Sequence, residues 1–222
     1  CVGVFTKNVR DIIYVYNEIA GYDVQDRYTF PYKNKKLFLS TGNLKRTFNI
    51  GILDDSYFES TNEVTTAFLD SVKQLGKLGH TIQTCSMPSI FEEANRAHEI
   101  VVDTETASLH ESYFIEKREL FSPELRRDIE TGRSYSAIQY LQAQEIRWKY
   151  KQEFKEVFKN IDILLTPTTP ETAPNGIKKT GSPKFNKPFS NAGLPTLTLP
   201  IGFSAKSGLP IGLQMVANFD CE

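Results

Sequence analysis

Cysteine and long apolar runs are scarce in this sequence, and each scarcity excludes a class of protein. Three cysteines occur among 222 residues, two of them at the extreme ends, which is too few for the disulfide framework of a small secreted domain. We therefore predict a reducing, cytoplasmic location, although the chain opens at Cys1 rather than at Met and leaves room for a targeting sequence upstream. No run of about eighteen apolar residues occurs, so we expect no transmembrane helix and no membrane partner.

An excess of charge of one sign is missing as well. The 26 basic and 27 acidic residues leave a formal charge of −1, and no basic stripe runs along the chain. Proteins that bind nucleic acid or anionic membranes usually carry a basic excess, so we predict no direct contact with nucleic acid. What is present is apolar material: 40% hydrophobic and 12% aromatic residues suffice for the core of one large domain.

Side chains suited to metal binding or nucleophilic catalysis form no recognisable pattern. Of the three histidines, His80, His98 and His110, none has a second ligand at the spacing of a zinc site, so we predict no metal. Cys85 lies in a strand-like segment without a neighbouring positive charge, which favours a packed thiol over a nucleophile. The sequence also lacks G-x-S-x-G, a phosphate loop and G-x-G-x-x-G.

The spacing of apolar residues predicts an α/β fold. Helical patterns or helix-start signals occur at residues 8–20, 60–78, 90–117, from 122 onward, and at 136–160. Strand-like runs occupy 48–53, 80–87, 163–165, 196–200 and 211–216, while 22–47 has the composition of a surface connection. Strand, helix and strand follow with short joints over 48–87, which predicts a βαβ unit with parallel strands.

Local signals predict where the first two helices begin and end. Asn8 is a favoured N-cap, and the helix after it, with one buried face, should stop at Gly21. Ser60 and Glu63 have the spacing of a capping box, and Gly79 supplies the next stop.

Acidic residues are absent from residues 172–219, and the end of the chain is rich in proline. Eight of the eleven prolines lie from Thr166 onward. Proline and glycine at this density fix the geometry of loops between buried strands, as the wall of a preorganised pocket requires. Plain structural turns would give the same pattern, so both interpretations stay open on the residues alone.

Five motifs in order along the chain carry a resemblance to a known family. The segments IDILLTPTTPETAP at 161–174, PFSNAGLP at 188–195 and GLPIGLQ at 208–214 resemble the C-terminal region of amidase-signature enzymes. In that family a TPT-x-P strand end precedes an N/S-x-x-G-x-P segment and a GLP-x-G-x-Q strand. The opening VGVFTKNVRD resembles the helix after the family's signature region, and EVTTAFLDSVKQLGKLGHTI at 63–82 resembles its next βαβ unit.

The resemblance implies the amidase-signature fold, a mixed β-sheet flanked by helices, with residues 1–222 forming the C-terminal portion of a single domain. It also implies hydrolysis of a small-molecule carboxylic amide through a serine acyl-enzyme, with two serines and a lysine and without cofactor or metal. In the family these catalytic groups lie upstream of the position matching Cys1. We therefore predict no catalytic residue in this chain, no activity of the chain alone, and a C-terminus shorter than the family's; a homodimer is compatible with the resemblance.

Four residues are expected near the family's substrate pocket: Thr168, Phe189, Ser190 and Asn191. Members that hydrolyse glutamine carry an aspartate shortly before the segment matching 188–195, where it pairs with the substrate ammonium. This chain has no acid there, which favours a general amidase. Two alternatives stay open: the glutamine-hydrolysing A subunit of a tRNA-dependent amidotransferase, and a catalytically inactive interaction module. The sequence directly upstream of Cys1 would distinguish the inactive module from an enzyme.

Overall fold

Helices and strands alternate in a computed structural model of the chain, which describes residues 3–26, 29, 31, 36–38, 46–54, 56–219 and 221. The helices are α1 Val9–Ile19, α2 Asn62–Lys77, α3 Phe91–Lys117, α4 Pro123–Ser134, α5 Ala137–Val157 and α6 Lys187–Ala192, with 3-10 turns at Ser56–Phe58 and Arg118–Leu120. The strands are β1 Asn49–Leu53, β2 Thr81–Cys85, β3 Ile163–Pro167, β4 Thr196–Phe203 and β5 Pro210–Ala217. The chain divides into two units, Cys1–Arg46 and Thr47–Glu222.

The first unit holds α1. The Asn8 side chain accepts a hydrogen bond from the Asp11 N–H at 3.0 Å, which confirms the predicted cap. None of the eleven residues of α1 is buried, so the buried face expected from its spacing is not covered. The Asn17 side chain exchanges two hydrogen bonds with the Leu37 backbone, at 2.9 and 2.8 Å. The described part of the predicted connection 22–47 contains no helix or strand, and three of its lysines, Lys33, Lys35 and Lys45, lie outside the described residues.

The second unit is built on a five-stranded mixed sheet in the order β2-β1-β3-β5-β4. The first three strands are parallel, whereas β5 is antiparallel to both β3 and β4. Because α2 connects the adjacent parallel strands β1 and β2, the predicted βαβ unit is confirmed. The prediction of a mixed β-sheet flanked by helices is confirmed too, although β2 is shorter than the predicted 80–87.

Helices cover both faces of this sheet. On one face α2 packs through Phe68 and Val72 against apolar residues of β1, β3 and β5. On the other face α3, α5 and α6 enclose an aromatic core, whose large members are Phe58, Phe91, Tyr150, Phe154, Phe158, Phe185 and Phe189. None of the helices in the described part of the chain is long and apolar enough to cross a membrane.

The capping box predicted for Ser60 and Glu63 is wrong. Helix α2 begins after Thr61, whose side chain makes no capping hydrogen bond. The Ser60 hydroxyl instead lies 2.8 Å from that of Thr65. The Glu63 carboxylate accepts a hydrogen bond from the Ser204 hydroxyl at 2.6 Å, so this acid serves a tertiary contact with the β4–β5 connection.

The other helix ends differ in how well local signals predict them. Ser122 caps α4 through the Leu125 N–H, as predicted. Ser136 and Gln139 form a capping box at the start of α5 that was not predicted. Helix α6 was not predicted either, because six residues are too few to show helical periodicity; it ends at Gly193 with φ of +73°.

Candidate functional site

Helix α6 carries three of the four predicted site residues, and hydrogen bonds fix its beginning. The buried Gln214 side chain of β5 donates to the Thr166 hydroxyl at 3.0 Å and to the Phe185 carbonyl, just before α6, at 3.1 Å. The Asn186 side chain then donates to the carbonyl of Thr168 at 3.2 Å. Hydrogen bonds therefore connect the start of α6 to the end of β3 and to the middle of β5.

Asn191 fixes the other end of α6. Its side-chain amide donates to the Ala94 carbonyl of α3 at 3.0 Å and accepts from Arg147 Nε of α5 at 2.9 Å. With 4% of its surface exposed, Asn191 satisfies both ends of its amide inside the protein. A short helix with low intrinsic stability is thereby held by α3 and α5 in addition to its contacts with β3 and β5.

Thr168 lies directly after β3, at the carboxyl edge of the parallel strands. Its N–H donates to the Gly212 carbonyl at 3.0 Å, and its carbonyl accepts from Asn186. Both backbone groups are thus engaged, while the side chain is only partly buried. In open α/β sheets, ligands bind outside this edge, so the position of Thr168 suits a pocket wall.

The four predicted residues differ in what they offer a ligand. Ser190 is exposed and Thr168 is half-buried, so both can contact a substrate. Phe189 is fully buried, with ring centroids 6.1 Å from those of Phe58 and of Phe154. Phe189 and Asn191 have almost no exposed surface for a substrate to contact. Their role is therefore to hold α6 in place.

Arg147 is a candidate site residue that sequence reasoning missed. Besides its bond to Asn191, it donates through Nη1 to Gln144 Oε1 at 3.3 Å. None of the described carboxylates lies within ion-pair distance of its partly buried guanidinium. The sequence does indicate that Arg147 is unusual. It lies at helical spacing from the buried Ala143 and Tyr150 of α5, which places this charged residue on the buried face of the helix.

His98 of α3 lies beside Arg147 and Asn191. Burial lowers the pKa of its imidazole, and the positive charges of Arg147 and Lys187 lower it further. The neighbouring Asn191 side chain and the charge of Glu99 act in the opposite direction but do not prevail. His98 is therefore neutral at pH 7, and its buried Nδ1 has no hydrogen-bond partner in the described part of the chain.

Carboxylates do approach the acid-free segment in space. Glu99 of α3 lies 3.7 Å from Lys187 Nζ of α6, and Glu63 of α2 accepts from Ser204. Both acids are already engaged by residues of that segment. Among the residues that the structure describes, no three His, Cys, Asp or Glu side chains are grouped so as to hold a metal ion. Cys85 is a half-buried free thiol, and burial raises its pKa.

Comparison with known proteins decides the family. The family model described as Amidase matches residues 1–221. The chain belongs to the amidase-signature family. It is 31% identical over 250 residues to the A subunit of glutamyl-tRNA(Gln) amidotransferase from Rippkaea orientalis (strain PCC 8801 / RF-1), covering 98% of this chain and 51% of that protein. This amidase-signature chain thus spans about half the length of the curated relatives it matches.

Solved structures agree with that assignment. A crystal structure described as an amidase is 27% identical, with a TM-score of 0.69 over 79% of this chain and 43% of that one. A chain of a vestigial protein complex, described as revealing the evolutionary origins of an s-triazine catabolic enzyme, superposes with a TM-score of 0.80 at 23% identity. That match covers 96% of this chain and 49% of that one, and at this identity it shows the fold alone.

Proposed function

We propose that the protein containing this chain hydrolyses a carboxylic amide to an acid and ammonia or an amine. The single observation that carries the proposal is the match of the amidase family model across residues 1–221. The geometry of α6 supports it, because Ser190 and Thr168 present hydroxyls from a wall whose backbone is fixed by Asn186 and Asn191. Preorganised contacts of this kind position a substrate for reaction.

In this proposal the bond-making groups lie upstream of Cys1, as the family resemblance implies. A serine attacks the amide carbon, the C–N bond breaks, the leaving amine takes a proton, and water then hydrolyses the acyl-enzyme ester. A lysine held neutral accepts the serine proton through the bridging serine, and backbone N–H groups stabilise the oxyanion. The described residues take no part in these steps; they bind the substrate and exclude water.

The charges around α6 favour a neutral amide over glutamine as the substrate. An α-ammonium group needs a carboxylate partner, and no acid occurs between residues 172 and 219. Two carboxylates that approach from elsewhere, Glu99 and Glu63, already have partners in Lys187 and Ser204. A substrate ammonium that paired with either of them would have to displace an existing contact.

Glutamine hydrolysis within an amidotransferase is the second candidate, and two observations favour it. One is the 31% identity to the amidotransferase A subunit of Rippkaea orientalis. The other is Arg147, whose guanidinium has no described carboxylate partner and retains donors that suit a substrate carboxylate. Glutamine carries both a carboxylate and an ammonium group, and Arg147 can pair only with the carboxylate.

A substrate panel tests the two candidates. The full-length protein would be assayed for ammonia or amine release from propionamide, acetanilide and glutamine. We expect at least one neutral amide to be hydrolysed with a higher kcat/KM than glutamine. A preference for glutamine would support the amidotransferase candidate, and release from none of the three would support the inactive interaction module.

A further inference from the structure

A row of polar side chains crosses the sheet on the face that carries α6. Thr166 of β3, Gln214 of β5 and Thr198 of β4 stand at the same register. Thr166 and Gln214 are each 1% exposed and hydrogen-bond to each other, whereas Thr198 is exposed. Because side chains alternate between faces, Gly212 lies on the same face as Gln214, one step nearer the carboxyl edge.

Gly212 makes room for the Thr168 hydroxyl and for the Thr198 methyl group. A Cβ at this position would lie 2.7 Å from Thr168 Oγ1 and 3.1 Å from Thr198 Cγ2. Glycine weakens a strand interior and often marks a place where a ligand or another backbone approaches closely. The β4–β5 pairing also shifts register between Pro200 and Gly202, an irregularity that is over-represented next to active sites.

The two hydroxyls keep hydrogen-bonding capacity for a ligand. Thr168 Oγ1 and Thr198 Oγ1 are 3.5 Å apart, which is longer than a good O–H···O hydrogen bond. Neither hydroxyl has another hydrogen-bond partner in the described part of the chain. The Thr168 backbone is fixed by Gly212 and Asn186, and Thr198 is fixed by its sheet pairing, so the pair is placed in advance.

We propose that Thr198 contacts the substrate together with Thr168, and that the two hydroxyls, which lie 3.5 Å apart, bind a neutral hydrogen-bonding group of the amide substrate. This rests on the proposed function. A hydroxyl pair offers both a donor and an acceptor without charge, so it suits a carbonyl, an amide N–H or a hydroxyl. It provides no ion pair for an ammonium or a carboxylate, and residues 172–219 contain no acid that would supply one.

The test compares three variants of the full-length protein on the neutral amide that the parent hydrolyses fastest. Thr198→Val removes the hydroxyl at nearly constant shape, Thr198→Ser keeps it, and Thr196→Val changes an exposed threonine on the same face of β4. Losing a neutral hydrogen bond to the substrate should raise KM about three- to tenfold for Thr198→Val. We expect kcat within about twofold of the parent, and parental KM for Thr198→Ser and Thr196→Val.

A fourth variant, at Gly212, tests the pair of Thr168 and Thr198 indirectly. Gly212→Ala should displace the Thr168 side chain and raise KM as well, with the thermal midpoint reporting that the protein is folded. An unchanged KM in Thr198→Val, or an equal rise in Thr196→Val, would overturn the assignment while leaving the proposed function intact. If the parent hydrolyses no amide, the proposed function fails and the role of Thr198 fails with it, a result seen before any variant is made.

Discussion

Tyr150 is the largest fully buried side chain, and its hydroxyl has no hydrogen-bond partner among the described residues. A buried unpaired hydroxyl costs free energy, so Tyr150→Phe should leave the free energy of unfolding unchanged or raise it by up to about 1 kcal/mol. Tyr57 is the matched control, because its hydroxyl donates to the Lys184 carbonyl at 2.9 Å. In urea unfolding of the full-length protein, Tyr57→Phe should lower stability by about 1 kcal/mol; a greater loss for Tyr150→Phe would show that its hydroxyl is bonded.

His98 makes stability depend on pH in a defined direction. Its folded-state pKa is lowered by burial and by the charges of Arg147 and Lys187. The His98 imidazole therefore binds a proton more weakly in the folded chain than in the unfolded chain. Stability is therefore fully present above the unfolded pKa of about 6.5 and is lost as pH falls through the folded value. His98→Gln should remove this loss.

The measurement for His98 is urea unfolding of the full-length protein and of its His98→Gln variant across this pH range. The difference between the two proteins isolates the imidazole from other groups, such as Asp103. Burial and the charges of Asp128 and Glu99 raise the pKa of that carboxyl, which acts in the opposite direction. Parallel pH curves for the two proteins would contradict the account.

At the scale of elements, two residues of α6 have different roles: Asn191 supports the helix, and Ser190 is assigned to substrate contact. Asn191→Ala leaves the Ala94 carbonyl and Arg147 without their partner, so we expect a loss of about 2–4 kcal/mol in urea unfolding. Ser190→Ala, one residue away on the exposed side, should change stability by less than about 0.5 kcal/mol while raising KM. Equal stability losses in the two variants would contradict the division of roles within α6.

Helices α3 and α4 cross at a glycine. A Cβ on Gly132 would lie 1.9 Å from the Asp103 carbonyl oxygen, so Gly132→Ala forces the helices apart and should cost about 3 kcal/mol or more. In α2, a Cβ on Gly76 would meet nothing nearer than Ile82 at 3.8 Å. Gly76→Ala should therefore stabilise the protein by up to about 1 kcal/mol, measured by thermal unfolding. A tolerated Gly132→Ala would refute this close approach.

These elements also show how far the sequence predicts the fold. The stripe of Val64, Phe68 and Val72 predicts α2 because a long amphipathic helix repeats its pattern several times. Helix α6 escapes prediction because its position depends on hydrogen bonds to Thr168 and Ala94, which are distant in sequence. The Ser60–Glu63 spacing fails for a related reason, since a tertiary partner competes for the acid.

The same limit applies to the candidate site. The motifs at 161–174 and 188–195 predict Thr168 and Ser190 through their resemblance to the amidase-signature family. They do not reveal Arg147 and His98, which come from other helices and meet α6 only through tertiary packing.

For the molecule as a whole, the edges of the sheet bear on stability. Within the described residues the sheet ends at β2 and β4, and neither strand contains a charged residue. Uncharged edge strands pair readily with other chains. We therefore predict that residues 1–222, produced alone, associate in size-exclusion chromatography and unfold in urea without a single cooperative transition. A monomeric, cooperative transition would contradict this prediction.

The most direct test of the central claim is amide hydrolysis by the full-length protein beside residues 1–222 alone, with acid and ammonia or amine quantified together. We propose that this amidase-signature chain binds the substrate and that the bond-making groups lie upstream of Cys1. We therefore predict equimolar release of the two products by the full-length protein and none by residues 1–222. Turnover by residues 1–222 that survives purification would contradict it.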